Sequence, residues 1–251
     1  MKRATWTRAA MAGGLCLALA ACAGPPAEDT RKAVPAADSG WSRTPHIAAA
    51  RPTPGGLAIA GAAEPGARVV LRSAAGDAYA AAADARGRFE IRIAAPAGPL
   101  LLRPETQIGQ DAAESPDRLL ILDGGRGPVA VLRAGGPARR LDAAPALGAV
   151  DSDGRSVLAS GRSETPDQPV AVSAGSAAAQ VRPPPDGRWS VLLPATAGET
   201  FRVDGAAFVW PGPGGAAGEL QVERIGGGWR IGWSGPGGAR QWTWLPTGPA
   251  S

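Results

Sequence analysis

The chain is short of the residues that most often do chemistry. Of its 251 residues, one is histidine and two are cysteine. The histidine is His46, next to Pro45, and both cysteines, Cys16 and Cys22, lie near the start. A His-dependent catalytic triad would have to recruit that single histidine. No cluster of Cys and His at zinc-ligand spacing exists, and no Gly-x-x-x-x-Gly-Lys stretch is present to cradle a phosphate. Lysine occurs only at Lys2 and Lys32. The formal charge of +4 leans on Lys2, Arg3 and Arg8, and the other arginines are scattered among acids. That distribution lacks the basic stripe of a phosphate-backbone binder, so nucleic acid is not an expected partner. No apolar run approaches the ~20 residues that span a bilayer. The reading is therefore of a non-enzyme with no cofactor and no metal.

What the first residues do contain is an address. Lys2, Arg3 and Arg8 form a positive n-region, and Ala9 to Ala21 is a short apolar stretch. This is the pattern of a secretory signal, expected over residues 1–21. The stretch closes as Leu19-Ala20-Ala21-Cys22, which resembles the bacterial lipobox. The resemblance implies cleavage before Cys22 and acylation (palmitate-type chains) of Cys22 at its thiol and its new α-amine. The processed chain would then hold a single Cys, at its first position, and no internal disulfide. Several acyl chains at about 0.8 kcal/mol per buried methylene anchor a protein stably without a transmembrane helix. Ala23, rather than Asp, follows the Cys. In similar lipoproteins this points to the outer membrane, with the body facing the periplasm or the cell surface.

Residues 22–54 read as the lipidated Cys and a flexible tether. They are rich in Pro, Ala and charge, with isolated Trp41 and Ile47, and bury too little apolar area to offset their ordering entropy. Such a tether spans roughly 30 Å as a coil.

The remainder carries 100-residue self-similarity. Gly61 aligns with Gly161, Glu64 with Glu164, Val70 with Val170, Ser73 with Ser173, and Gly98 with Gly198. Gly87-Arg88-Phe89 aligns with Gly187-Arg188-Trp189, and Ile91 and Ile93 with Val191 and Leu193. A looser match sets Val129 and Val131 against Trp229 and Ile231. Two tandem units are expected over 55–147 and 148–247, with a tail over 248–251. The 36 Gly and 25 Pro of the chain punctuate short apolar segments, which favours strands and turns over helices. Phe89, Ile91 and Ile93 alternate with Glu90 and Arg92, the period of a half-buried strand. Leu119 to Leu122 and Val129 to Leu132 are continuous apolar runs around an Asp123-Gly124-Gly125 turn. The expected fold is all-β, with about seven short strands per unit arranged as a β-sandwich.

The run Gly61-x-x-Glu64-Pro65-Gly66-Ala67-x-Val69, followed by Asp84-x-x-Gly87-x-Phe89-x-Ile91, resembles bacterial Ig-like repeats of cell-surface proteins. It is also similar to the carboxypeptidase-regulatory-like, transthyretin-type sandwich. The resemblance covers about 40 residues of each unit, and the second departs from it at Thr165-Pro166 and Pro169. The shared residues shape turns and core. They imply a sandwich in an envelope setting and transfer no catalytic residue.

Two further features invite a functional reading. Asp151-Ser152-Asp153-Gly154 looks like the opening of a calcium loop but lacks the third acid and the distal Glu, so a plain turn is expected. Trp229, Trp233, Trp242 and Trp244 crowd the C-terminus around Ser234-Gly235-Pro236-Gly237-Gly238. Trp189 and Trp229 fall on inward positions of the repeat. Trp233 falls against Arg133 and is expected to be exposed. With Trp242 and Trp244 it is the candidate platform for a glycan ring or an envelope protein. The function expected is a non-catalytic envelope lipoprotein that binds or spaces protein or glycan, peptidoglycan included. The alternative is an accessory subunit of a secretion, pilus or export assembly that docks through strand edges.

Overall fold

In the computed structural model, the described residues are 44–108, 111–215 and 220–250. The expected signal, Cys22 and most of the expected tether lie outside them. The strands of the first half are β1 (His46–Thr53), β2 (Gly56–Ala62), β3 (Arg68–Ser73), β4 (Ala78–Ala82), β5 (Arg88–Ala94), β6 (Leu100–Ile108), β7 (Asp111–Glu114), β8 (Asp117–Ile121), β9 (Val129–Arg133) and β10 (Arg139–Arg140). Those of the second are β11 (Leu147–Ser152), β12 (Val157–Arg162), β13 (Val170–Ala174), β14 (Ala177–Val181), β15 (Arg188–Leu192), β16 (Thr200–Val203), β17 (Ala206–Val209), β18 (Leu220–Ile225), β19 (Gly228–Ser234) and β20 (Arg240–Pro246). The described part is all-β, as the punctuation and period-two alternation predict, and every pairing is antiparallel.

Each half is a sandwich of two sheets. In the first, β1-β2-β5 faces β10-β9-β8-β6-β3-β4, with β7 also paired to β6. In the second, β15-β12-β11-β20-β19-β18 faces β14-β13-β16-β17. The common plan sets β1-β2-β5 against β11-β12-β15, and β4-β3-β6-β8 against β14-β13-β16-β17. Even the irregularities repeat. The β1–β2 ladder slips between Ile47 and Ala49, and the β11–β12 ladder slips between Leu147 and Ala149. Such bulges bend a strand and leave one residue out of register.

The glycine–aromatic match has a steric reason. Gly61 lies opposite Phe89 and Gly161 opposite Trp189. A Cβ at Gly61 would stand 2.5 Å from the Phe89 ring, and one at Gly161 2.6 Å from the Trp189 indole. Only glycine leaves room for a ring laid across the neighbouring strand. Gly87 and Gly187 close equivalent turns at φ 74° and 75°, where L side chains are strained.

Three expectations need correction. The tether does not run to residue 54, because 46–53 is β1. Its apolar Ile47 is buried and its backbone pairs with β2. His46 is accordingly a strand residue with an exposed side chain. Partial burial, then the nearby Arg139, lowers its pKa. The loose match of Val129 with Trp229 has no structural counterpart. β9 extends the sheet that contains β3, whereas β19 extends the sheet that contains β11. The two halves carry their extra strands on opposite sheets.

Three apolar clusters result. One fills the first sandwich with Ile59, Leu71, Phe89, Leu119 and Val131, and a second fills the other with Val150, Val172, Trp189, Phe201 and Trp244. The third lies between the sandwiches. Leu120 and Leu122 at β8 and Ala130 and Leu132 on β9 meet Ala149 on β11, Ile231 and Trp233 on β19 and Leu245 on β20. β8 and β9 are thus buried on both faces, which is what their continuous apolar runs encode. Each large aliphatic side chain in this seam contributes roughly 1.5–3 kcal/mol on burial.

Candidate functional site

The C-terminal tryptophans sit at the seam, because β19 and β20 form its wall on the second sandwich. Alternation along β19 puts Trp229, Ile231 and Trp233 on the seam face. Along β20, Thr243 and Leu245 take that face, while Trp242 and Trp244 take the opposite one. Trp233 is 2 % exposed, which overturns its expected role as an exposed aromatic. It is covered because the first sandwich packs on the face that would otherwise be wet. Trp244 is also 2 % exposed and belongs to the core of the second sandwich, its Nε1–H donating to the Ile225 carbonyl at 3.2 Å. Trp242 is half-buried, and a Cβ at Gly214 would stand 2.4 Å from its ring. Trp229 is half-buried against the seam, with the Arg224 guanidinium 5.1 Å above its ring. The three candidate tryptophans therefore do not form one exposed platform. Trp189 is core, as its place in the repeat predicts.

The polar centre of the seam is Asp151. It sits on β11, opposite Thr243 in register, with its side chain turned into the seam. Its Oδ2 accepts from the Ala138 backbone N–H at 2.7 Å, and its Oδ1 from the Thr243 hydroxyl at 2.6 Å. The Thr243 oxygen in turn accepts from Trp233 Nε1 at 3.1 Å. Ser160 Oγ donates to the Ala138 carbonyl at 3.0 Å, so both backbone groups of Ala138 are bonded from the second sandwich. Among the described residues no cation pairs with Asp151. Burial raises its pKa from 3.8 to about 7, only partly offset by the two hydrogen bonds.

The expected turn starts later than its motif. Asp151 and Ser152 belong to β11. The turn is made by Asp153, whose Oδ1 accepts from the N–H groups of Arg155 at 2.8 Å and Ser156 at 2.7 Å. The two acids of the motif thus face different surroundings.

Next to the seam, Arg139 and Arg140 reach in opposite directions, as neighbours on a strand must. The Arg139 guanidinium donates to the Ile47 carbonyl and to the Ala48 carbonyl at 3.3 Å, at the bulge of β1. Burial pushes its pKa down to about 10. Arg140 donates through Nη1 to the Pro246 carbonyl at 2.9 Å and the Gly148 carbonyl at 3.4 Å, at the bulge of β11. Its Nε holds Asp142 at 2.8 Å, and Asp142 accepts from the Val129 N–H at 3.1 Å. The two bulges are therefore held by consecutive residues.

Sequence reasoning missed Asp151, Thr243, Arg139 and Arg140. The available signal was the run Leu119–Leu122, which requires partners on both faces. No protein-family model matches this chain, and no curated protein matches it.

Proposed function

We propose that this chain is a non-catalytic cell-envelope lipoprotein, anchored through acylated Cys22, whose paired sandwiches bind or space a protein or glycan partner. The observation that carries this reading is the Leu19-Ala20-Ala21-Cys22 box after a charged and apolar leader. The fused body supports the spacer role. Two sandwiches that share a buried seam hold a fixed length, where a flexible joint would not. Tethered at its N-terminal side, such a body presents its loops and edges to a partner as one piece.

The test is fractionation of cells fed a labelled fatty acid. The wild-type chain incorporates label and sediments with membranes, and Cys22→Ser does neither. Unchanged fractionation and labelling of Cys22→Ser would overturn the proposal.

A further inference from the structure

A sheet edge exposes unpaired N–H and C=O groups, and proteins protect such edges with charge, proline, bulges or cover. Most edges here are protected in that way. β1 has a bulge, Arg51 and Pro52, and is held by Arg139. β5 carries Arg88, Glu90 and Arg92, β15 carries Arg188, and β18 carries Glu223 and Arg224. β10 has only two residues, and β17 has four, with its Ala207 carbonyl taken by the Ala250 N–H at 2.7 Å.

β4 and β14 differ. They occupy the same place in the two copies, have five residues each, pair regularly, and carry no charge and no proline. The side chains of β14 that face the core, Ala177, Ala179 and Val181, are only half-buried. The core of the second sandwich therefore stops short at this edge. The two-residue Gly175-Ser176 turn makes Ala174 and Ala177 a hydrogen-bonded pair. Ladder alternation then points the backbone N–H and C=O of Ala178 and Gln180 outward.

On the outer face, Ser173 of β13 separates Ala178 from Arg202 of β16. Ala171, Ser173, Ala178, Gln180 and Arg202 line an open trough there. Among the described residues no carboxylate pairs with Arg202. Around β4 the cation in the corresponding place is Arg103 on β6, and it is spent, because it pairs with Glu114 at 3.1 Å.

We propose that β14 is a docking edge for an extended segment of a partner protein, with apolar residues towards the core and an acidic residue on the outer face. The segment hydrogen-bonds to Ala178 and Gln180 and covers Ala177, Ala179 and Val181. Its carboxylate lies over Ala178 towards Arg202. Strands lie about 4.8 Å apart, so the added strand and β16 stand about 14 Å apart, and a glutamate leaning inward and an arginine leaning outward attract each other across the trough without a direct ion pair. The inference deepens the binding-module reading by naming the edge and the chemistry of what it takes.

The probe is a synthetic Thr-Val-Glu-Val-Thr peptide flanked by glycines, with Thr-Val-Lys-Val-Thr as its charge-reversed control. Amide exchange of the full chain is followed at millimolar peptide. The glutamate peptide slows exchange at Ala178 and Gln180 at least tenfold, and the lysine peptide does so several-fold less. Gln180→Pro removes an outward N–H that no ladder bond uses, so the chain keeps its native tryptophan fluorescence and loses the protection. Arg202→Gln keeps the protection and abolishes the preference for glutamate. The proposal is overturned by absent protection, by equal protection in Gln180→Pro, or by β14-mediated dimers forming without peptide. The assay reads the folded body and does not involve acylation. A failed peptide experiment leaves the anchor intact, and a failed labelling experiment leaves the docking edge intact.

Discussion

The indole of Trp189 lies across Gly161, so close that a Cβ there would stand 2.6 Å from the ring and 2.2 Å from the Ala146 carbonyl oxygen. Gly161→Ala forces the ring or the strand to move. Overpacking of this kind costs about 1–3 kcal/mol, and contact with rigid backbone puts this case at the upper end. Urea unfolding should show it. Gly98→Ala, where an added Cβ meets nothing within 4 Å, should shift the midpoint far less. Trp189→Phe restores the pairing used in the first copy and should cost under about 1.5 kcal/mol.

Asp151 sets an unusual pH dependence. Its pKa is about 7 in the fold against 3.8 for an unperturbed carboxyl. Between those values the folded chain keeps a proton that the unfolded chain has lost. This group's contribution is therefore most favourable below about pH 4 and is lost as pH rises to about 7. Three units correspond to about 4 kcal/mol as an upper bound. Asp151→Asn cannot ionise, so its stability relative to wild type should rise from pH 4 to pH 7. Urea midpoints of both chains across that range check this, and parallel curves would refute it.

Trp233 and Thr243 test the seam. Trp233→Ala should cost about 3–5 kcal/mol, as expected for a buried aromatic. Trp233→Phe keeps most of the packing and loses the bond to Thr243, at about 1 kcal/mol. Thr243→Val strands the Trp233 N–H and one Asp151 oxygen, and should cost more than Trp233→Phe. Because both sandwiches contribute to this cluster, wild type should unfold in one transition by every probe. Two separated calorimetric peaks would contradict a shared core.

Arg140 links β10 to β11 and to the end of β20. Its side chain is 6 % exposed, and Arg140→Ala leaves the Pro246 carbonyl and Asp142 without this donor. Hydrogen bonds to charged groups are worth about 1.5–3 kcal/mol, so a loss of that order is expected. Limited proteolysis should detect earlier cutting in the connection around residues 141–146.

The fold was legible where the chain repeats itself. Phe89, Ile91 and Ile93 alternate with charges, and Gly61 and Gly161 recur at one offset, so strand identity and the shared plan of the two halves follow from periodicity and steric need. Trp233 was misplaced for a definite reason. Its exposure was read from its match with Arg133 on β9, but β19 joins the other sheet of its sandwich, so that match carries no information on its face. β20 has apolar residues on both faces and β19 turns Trp229, Ile231 and Trp233 to a single face, and the contact with Leu120 and Leu132 shows what covers them. Asp151 was obscured by its neighbours, because an Asp-Ser-Asp-Gly string looks like turn chemistry until β11 is seen to run through Ser152. The edge chemistry of β14 was equally silent, since its alanines blend into an alanine-rich chain.

β8 and β9 have consequences for modularity. A fragment ending after β10 would leave Leu120, Leu122 and Leu132 facing water, and one starting at β11 would strand Ile231, Trp233 and Leu245 in the same way. Neither copy remains a portable module. The two sandwiches behave as one indivisible unit, and grafting a single one onto another protein should yield an aggregating product rather than a working half.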